Sequence, residues 1–187
     1  MDLAESGVLK QRQRGLTMMQ KANGYAPVQI GLHWLIAAMV LFQLLFGQSM
    51  QTANNAAAEG TAVDPTDAVL ATAHYWVGIS ILVLVVVRLA IRLRYGAPPL
   101  PDGNRILALV ARATHWLFYI LLLVAPVSGL LILYVNPEFD VVHRLTRLAF
   151  IGFIILHAAA ALFHHFVLRD ATLKRMLVPA KASPTAK

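Results

Sequence analysis

Four long apolar runs separated by shorter polar stretches dominate this chain. The first covers about Ile30 to Met50 and is entered through Tyr25-Ala-Pro27. The second runs from about Val69 to Arg94, with no Lys, Arg, Asp or Glu between Ala68 and Val87. The third spans about Arg105 to Tyr134 and is uncharged from Ala113 to Pro137. The fourth covers about Asp140 to Leu168, and from Leu148 onward its only ionisable groups are histidines. Each run reaches the roughly 20 residues needed to cross a hydrocarbon core about 30 Å thick. In lipid a single segment satisfies its own backbone only as a helix. The pattern predicts an all-α integral membrane protein, a bundle of four transmembrane helices.

Composition agrees with the pattern. Of the 187 residues 58% are hydrophobic and 13% charged, whereas a soluble domain carries about 25% charged residues. The chain has no cysteine, which excludes disulfides, iron–sulfur clusters and thiolate zinc sites. The net charge of +7 would suit nucleic acid, but its distribution points elsewhere. Fourteen of the sixteen basic residues fall in three regions: the N-terminal arm, the connection around the second and third spans, and the tail. With alternating helices these regions share one side. The other side carries a loop of about twenty residues with Glu59, Asp64 and Asp67, and a short turn with Glu138 and Asp140. The positive-inside rule then puts both termini in the cytoplasm. The charge is mostly topology, and no nucleic-acid partner is expected.

The chain divides into a polar basic arm 1–24, the four-helix unit 25–178 and a tail 179–187, with Gly96-Ala-Pro-Pro-Leu-Pro101 as a stiff cytoplasmic turn. The first span is too long, and its flanks wrong, for a cleaved signal peptide. Met18 or Met19 could be the original start. The expected location is the bacterial inner membrane, as a multi-pass protein in contact with lipid.

Ionisable side chains inside spans are costly and usually mark function. His143 and His157 lie fourteen residues apart on the fourth span, within about 40° of one helix face and roughly 21 Å apart along it. His74 stands near the outer start of the second span and His33 near the cytoplasmic start of the first. Depth therefore sorts an outer pair, His74 with His143, from an inner pair, His33 with His157. Two axial imidazoles from different helices suit a six-coordinate haem b inside a four-helix bundle. Zinc would want four ligands. His164 is the alternative inner ligand, but at roughly 31 Å from His143 it would put an iron at the headgroups. His164 and His165 instead read as interfacial, with one of them a candidate hydrogen-bond donor to a bound head group. His115 reads as a hydrogen-bond donor to a haem propionate or a neighbouring helix.

Two arginine groups remain open on sequence alone. Arg88, fourteen residues after His74, either meets a propionate at the inner level or snorkels to the interface. Arg144 and Arg147 bind outer propionates, attract a small anion, or, for Arg144, pair with Asp140 one turn earlier.

These residues give the chain a resemblance to the bacterial cytochrome b561 family, whose relatives include cytochrome b subunits of nickel hydrogenases and formate dehydrogenases. It covers about residues 24 to 178. It rests on Gln29-Ile-Gly-Leu-His33-Trp34, on His74 with Gly78-Ile-Ser-Ile-Leu-Val-Leu and Val-Val-Arg88-Leu, and on Ala125-Pro-Val-Ser-Gly129-Leu. The most specific stretch is His157-Ala-Ala-Ala-Ala-Leu-Phe-His-His-Phe, continuing to Arg169-Asp-Ala-Thr-Leu-Lys-Arg-Met176. The resemblance implies two haems b, with His33 and His157 as axial ligands of one and His74 and His143 of the other. It is closest to the free-standing four-helix members, which implies an enzyme that passes electrons from superoxide to ubiquinone. Against those members the chain has a longer N-terminal arm and a shorter, less basic connection between the third and fourth spans. The competing reading is a non-catalytic electron-transfer anchor subunit of a hydrogenase- or dehydrogenase-type complex. A histidine-lined metal transporter would need acidic residues at mid-membrane, and the spans have none. The chain could also assemble as a homo-oligomer.

Overall fold

A computed structural model describes Gly7, residues 24–96 and residues 105–179. The rest of the N-terminal arm, the proline-rich linker from 97 and the tail beyond 179 lie outside the described residues. Among the described residues four long helices carry the fold: α1 (Pro27–Glu59), α2 (Pro65–Tyr95), α3 (Arg105–Tyr134) and α4 (Asp140–Phe166). All four have stretches long and apolar enough to cross a membrane.

Local chemistry sets the ends. Pro27 opens α1, and the Gln29 side chain accepts the Ala26 N–H at 3.2 Å. Asp64 caps α2 by accepting the Thr66 N–H at 2.8 Å, with Pro65 in the first helical position where its missing N–H costs nothing. Gly60 ends α1 in the left-handed region, φ 65°, which a residue without Cβ adopts freely.

The first helix runs nine residues beyond the expected span, through Gln51–Glu59, so the twenty-residue loop shrinks to a connection of residues 60–64. Apolarity marks where a span leaves lipid, not where its hydrogen bonding stops. The Ala-rich segment 51–59 is a good helix former in water as well. A 3₁₀ turn, Pro137–Phe139, leads into α4.

The helices pack as two close pairs, α1 with α2 and α3 with α4, joined through α2 and α3. The buried centre is thin: Ile36, Val40, Ile81, Val85, Leu121, Leu122 and Phe150 form one cluster drawn from all four helices. Of the most apolar 18 residues in α1, 11% are buried within the protein, so most of the hydrophobic surface faces lipid. Beyond α4 the chain turns back, and Trp34 Nε1 donates to the Met176 carbonyl at 2.8 Å. That bond lays the C-terminal segment across the start of α1.

Candidate functional site: two imidazole pairs

The apolar cluster separates two levels of histidines, both reaching across the seam between the helix pairs. Toward the α1–α2 connection, His74 on α2 faces His143 on α4, with ring centroids 6.3 Å apart and planes at 68°. Toward the termini, His33 on α1 faces His157 on α4 at 6.4 Å and 61°. Two imidazoles that grip one metal atom at about 2 Å per bond have centroids roughly 6 Å apart. Both pairs have that spacing. Each level offers two imidazoles, which matches a macrocycle that brings four nitrogens of its own.

The first level is built in some detail. His143 Nδ1 donates to the Ala125 carbonyl at 3.0 Å, and Ser128 Oγ lies 3.1 Å from the same nitrogen. With the proton held at Nδ1, the Nε2 lone pair is free to ligate. The facing imidazole is cradled by glycine: a Cβ on Gly47 would sit 3.3 Å from His74 Cε1 and 3.5 Å from Nδ1. On the other side a Cβ on Gly129 would meet His143 Cε1 at 3.4 Å. His74 Nδ1 and Gln43 Oε1 are buried without a hydrogen-bond partner, while Gln43 Nε2 donates to the His74 carbonyl at 2.9 Å. A cavity of about 510 Å³ opens here, lined among others by His74, His143, Gly47, Gly129, Arg144 and Arg147. That is the size of a cofactor pocket. An orphaned imidazole nitrogen, a glycine cradle and a pocket between facing imidazoles fit a haem.

The second level is more crowded. Arg88 turns into the bundle: Nη1 donates to the Gln29 carbonyl at 2.9 Å and Nη2 lies 3.4 Å from His33 Nδ1. Its guanidinium thus bridges α2 to the start of α1. His115 is a third imidazole at this height, its ring 5.8 Å from that of His157. Its Nδ1 donates to Ala111 on its own helix, 2.5 Å away, and not to a neighbouring helix. Phe118 packs against both His157 and Phe150, with centroids at 5.3 and 6.3 Å.

The remaining candidates are placed as follows. Arg144 pairs with Asp140 at 3.0 Å. Arg147 stands in the cavity wall and forms no ion pair with a described residue. His164 does not join either level; it bonds Asp170, beyond the end of α4. His165 lies exposed against Phe166. Two participants escaped the reading of the sequence. Gly47 had a signal, since it follows His33 by fourteen residues and shares its face of α1. Asp170 stood in the family-like stretch Arg169–Met176, but its contact with His164 depends on a turn that no spacing indicates.

A four-helix membrane bundle whose imidazoles meet in pairs across its seam has the architecture of a membrane cytochrome b. The chain belongs to the prokaryotic cytochrome b561 family, whose model matches residues 24–179. It is thus a multi-pass bacterial membrane protein of a haem b family that carries electrons in oxidoreductase chemistry. Over 176 residues it is 32% identical to a probable superoxide oxidase of Yersinia pestis, covering 82% of this chain and 95% of the relative. It is 35% identical over 164 residues to a cytochrome b562 of Cereibacter sphaeroides, covering 86% and 99%. A cytochrome b561 homolog of Escherichia coli is 28% identical over 180 residues, covering 83% and 97%.

Proposed function

We propose that this protein oxidises superoxide at the outer face of the bacterial inner membrane and reduces ubiquinone near the inner face, with both termini cytoplasmic. One haem b is held by His74 and His143, the other by His33 and His157. The observation that carries this reading is the pair of matched ring separations, 6.3 and 6.4 Å, one above the other along α4. A bound haem supplies a centre that accepts and releases one electron at a time, and two centres suit a one-electron donor feeding a two-electron acceptor.

The side chains do the rest. Ala125 and Ser128 orient His143. Arg88 puts a cation beside His33, where it would meet a propionate. The apolar layer around Phe150 keeps water from bridging the two levels. At the outer mouth Arg144 is partly neutralised by Asp140, which leaves Arg147 as the main attraction for an anion. The relative named as a probable superoxide oxidase supports superoxide as donor. His164, near the inner face, is the hydrogen-bond donor to the quinone.

Haem quantitation and stopped-flow spectroscopy on the purified protein test this. The expected result is two haems b per chain, reduced by superoxide faster than by a generic chemical reductant and reoxidised by a short-chain ubiquinone. One haem per chain, or no preference for superoxide, overturns it. Recovery of a stoichiometric second subunit would instead make the chain the membrane anchor of a dehydrogenase-type complex.

A further inference from the structure

Beyond α4 the backbone makes an unusual turn. Arg169 has φ 53°, the one described residue other than glycine with a positive φ, a conformation in which a Cβ crowds the following carbonyl oxygen. The turn brings Asp170 back onto the helix it has just left. Its N–H donates to the His164 carbonyl at 3.1 Å, and its carboxylate is used at both oxygens. Oδ1 accepts the Thr172 N–H at 2.8 Å and Oδ2 accepts from His164 Nδ1 at 2.5 Å.

Ending a helix needs none of this beyond the backbone bonds. The imidazole–carboxylate contact has a separate chemical consequence. A carboxylate on Nδ1 keeps a proton there, so the nitrogen left to exchange protons is Nε2. The location matches that role. His164 lies seven residues past His157 on α4, about 10 Å further toward the chain's terminal end and on nearly the same face. The pair is neither sealed nor fully open: the side chains are 28% and 21% exposed, so water can return a proton to the ring.

We propose that Asp170 is a positioning residue that keeps a proton on His164 Nδ1, so that in the doubly protonated ring Nε2–H is the proton donor to the quinone being reduced. This inference rests on the quinone reading of His164 given above. Reduction of one quinone to quinol takes two electrons and two protons. The electrons come from two superoxide anions, each oxidised to dioxygen. The Nε2 proton passes to a quinone carbonyl oxygen, forming an O–H bond and leaving a neutral imidazole still bound to Asp170 through Nδ1–H. A proton taken up from the solvent through water on the same side restores Nε2–H, and a second transfer completes the quinol with the second solvent proton.

The test uses the full-length, haem-loaded protein with a short-chain ubiquinone, and the variants Asp170→Asn, Asp170→Glu and His164→Gln. Asp170→Asn keeps an oxygen for Thr172 and so preserves the turn. It should lower kcat about tenfold, by analogy with the loss of other carboxylates that orient a histidine, with KM for the quinone and the haem spectrum unchanged. Asp170→Glu should restore part of the loss, and a solvent deuterium isotope effect on kcat should grow in Asp170→Asn. A readout independent of turnover is ¹⁵N NMR of the histidine rings, in which the Nδ1–H signal of His164 should change in Asp170→Asn. If His164→Gln slows quinone reduction while Asp170→Asn leaves kcat and the His164 ring signal as they were, the positioning role is wrong and the quinone site stands. If His164→Gln leaves kcat and KM untouched, the quinone reading itself fails and this inference goes with it.

Discussion

His143 and Ala125 are tied across the α3–α4 interface, imidazole Nδ1 to backbone carbonyl, at 3.0 Å. Ser128 Oγ donates to the same carbonyl at 2.9 Å and closes a three-membered network beside Pro126. A proline inside a helix cannot donate to the carbonyl one turn earlier and loosens the local ladder. Here the residue just before it serves as the anchor for a ligand on the next helix. Because the carbonyl remains, Ser128→Ala should leave both haems in place and weaken the outer one by no more than about tenfold. Haem titration of the apo-protein checks this.

Gly47 lies against His74 so closely that any side chain must displace the ring. Gly47→Leu should reduce the haem content from two per chain to one and spare the His33–His157 site, whereas Gly47→Ala should only shift the outer midpoint potential. Pyridine haemochrome quantitation with a redox titration separates the two outcomes.

Arg88 places a fixed positive charge beside His33. Removing a cation about 8 Å from a redox centre makes its reduction harder, by about 2 kcal/mol at an effective dielectric near 20. Arg88→Gln should therefore lower the inner haem's midpoint potential and leave the outer one alone. Arg88→Lys keeps the charge and should give a smaller shift. Potentiometric titration of the two haem bands is the measurement.

Arg147 is the cation of the outer cavity without a carboxylate partner among the described residues. Arg147→Gln should slow the second-order reduction of the haems by superoxide, and most of the difference should vanish at high ionic strength as screening takes over. Arg144→Gln should have a weaker effect, since Asp140 already offsets that charge. Equal rates for the wild type and both variants at low salt would remove the anion-attraction argument.

Burial pushes the Asp170 carboxyl up, but the bonds from His164 and Thr172 outweigh it and hold the group at about 2, below its ordinary 3.8. A depressed value in the folded state means the carboxylate stabilises the fold fully above about pH 4 and loses that contribution as pH falls through about 2. After allowance for screening at a partly exposed site, the contribution is about 1 kcal/mol. Asp170→Asn should be less stable than wild type at neutral pH, and the gap should close in acid. Tryptophan fluorescence against pH in detergent follows it, since Trp34 is bonded to the same C-terminal segment through Met176.

Much of this was legible along the chain. Apolar runs longer than the bilayer core leave the backbone one choice, so four helices could be read from hydropathy alone. The fourteen-residue interval from His143 to His157 likewise set two heights on one helix face, and from His74 to Arg88 it set a cation at the second height. The polar extension of α1 was harder, because helix formation in water depends on propensity and capping and not on apolarity.

The chain alone set the number of spans and the spacing of the histidines along each helix, because both follow from helical rise and from the exclusion of unpaired backbone from lipid. Only the tertiary structure decided what each group touches. The rotation of α1 against α2 puts Gly47 under His74, and the approach of α3 to α4 gives His143 a carbonyl from Ala125. The turn of Arg88 toward α1 and the left-handed step at Arg169 set the other two contacts. These depend on crossing angles and on single backbone torsions, which no periodicity in the chain encodes.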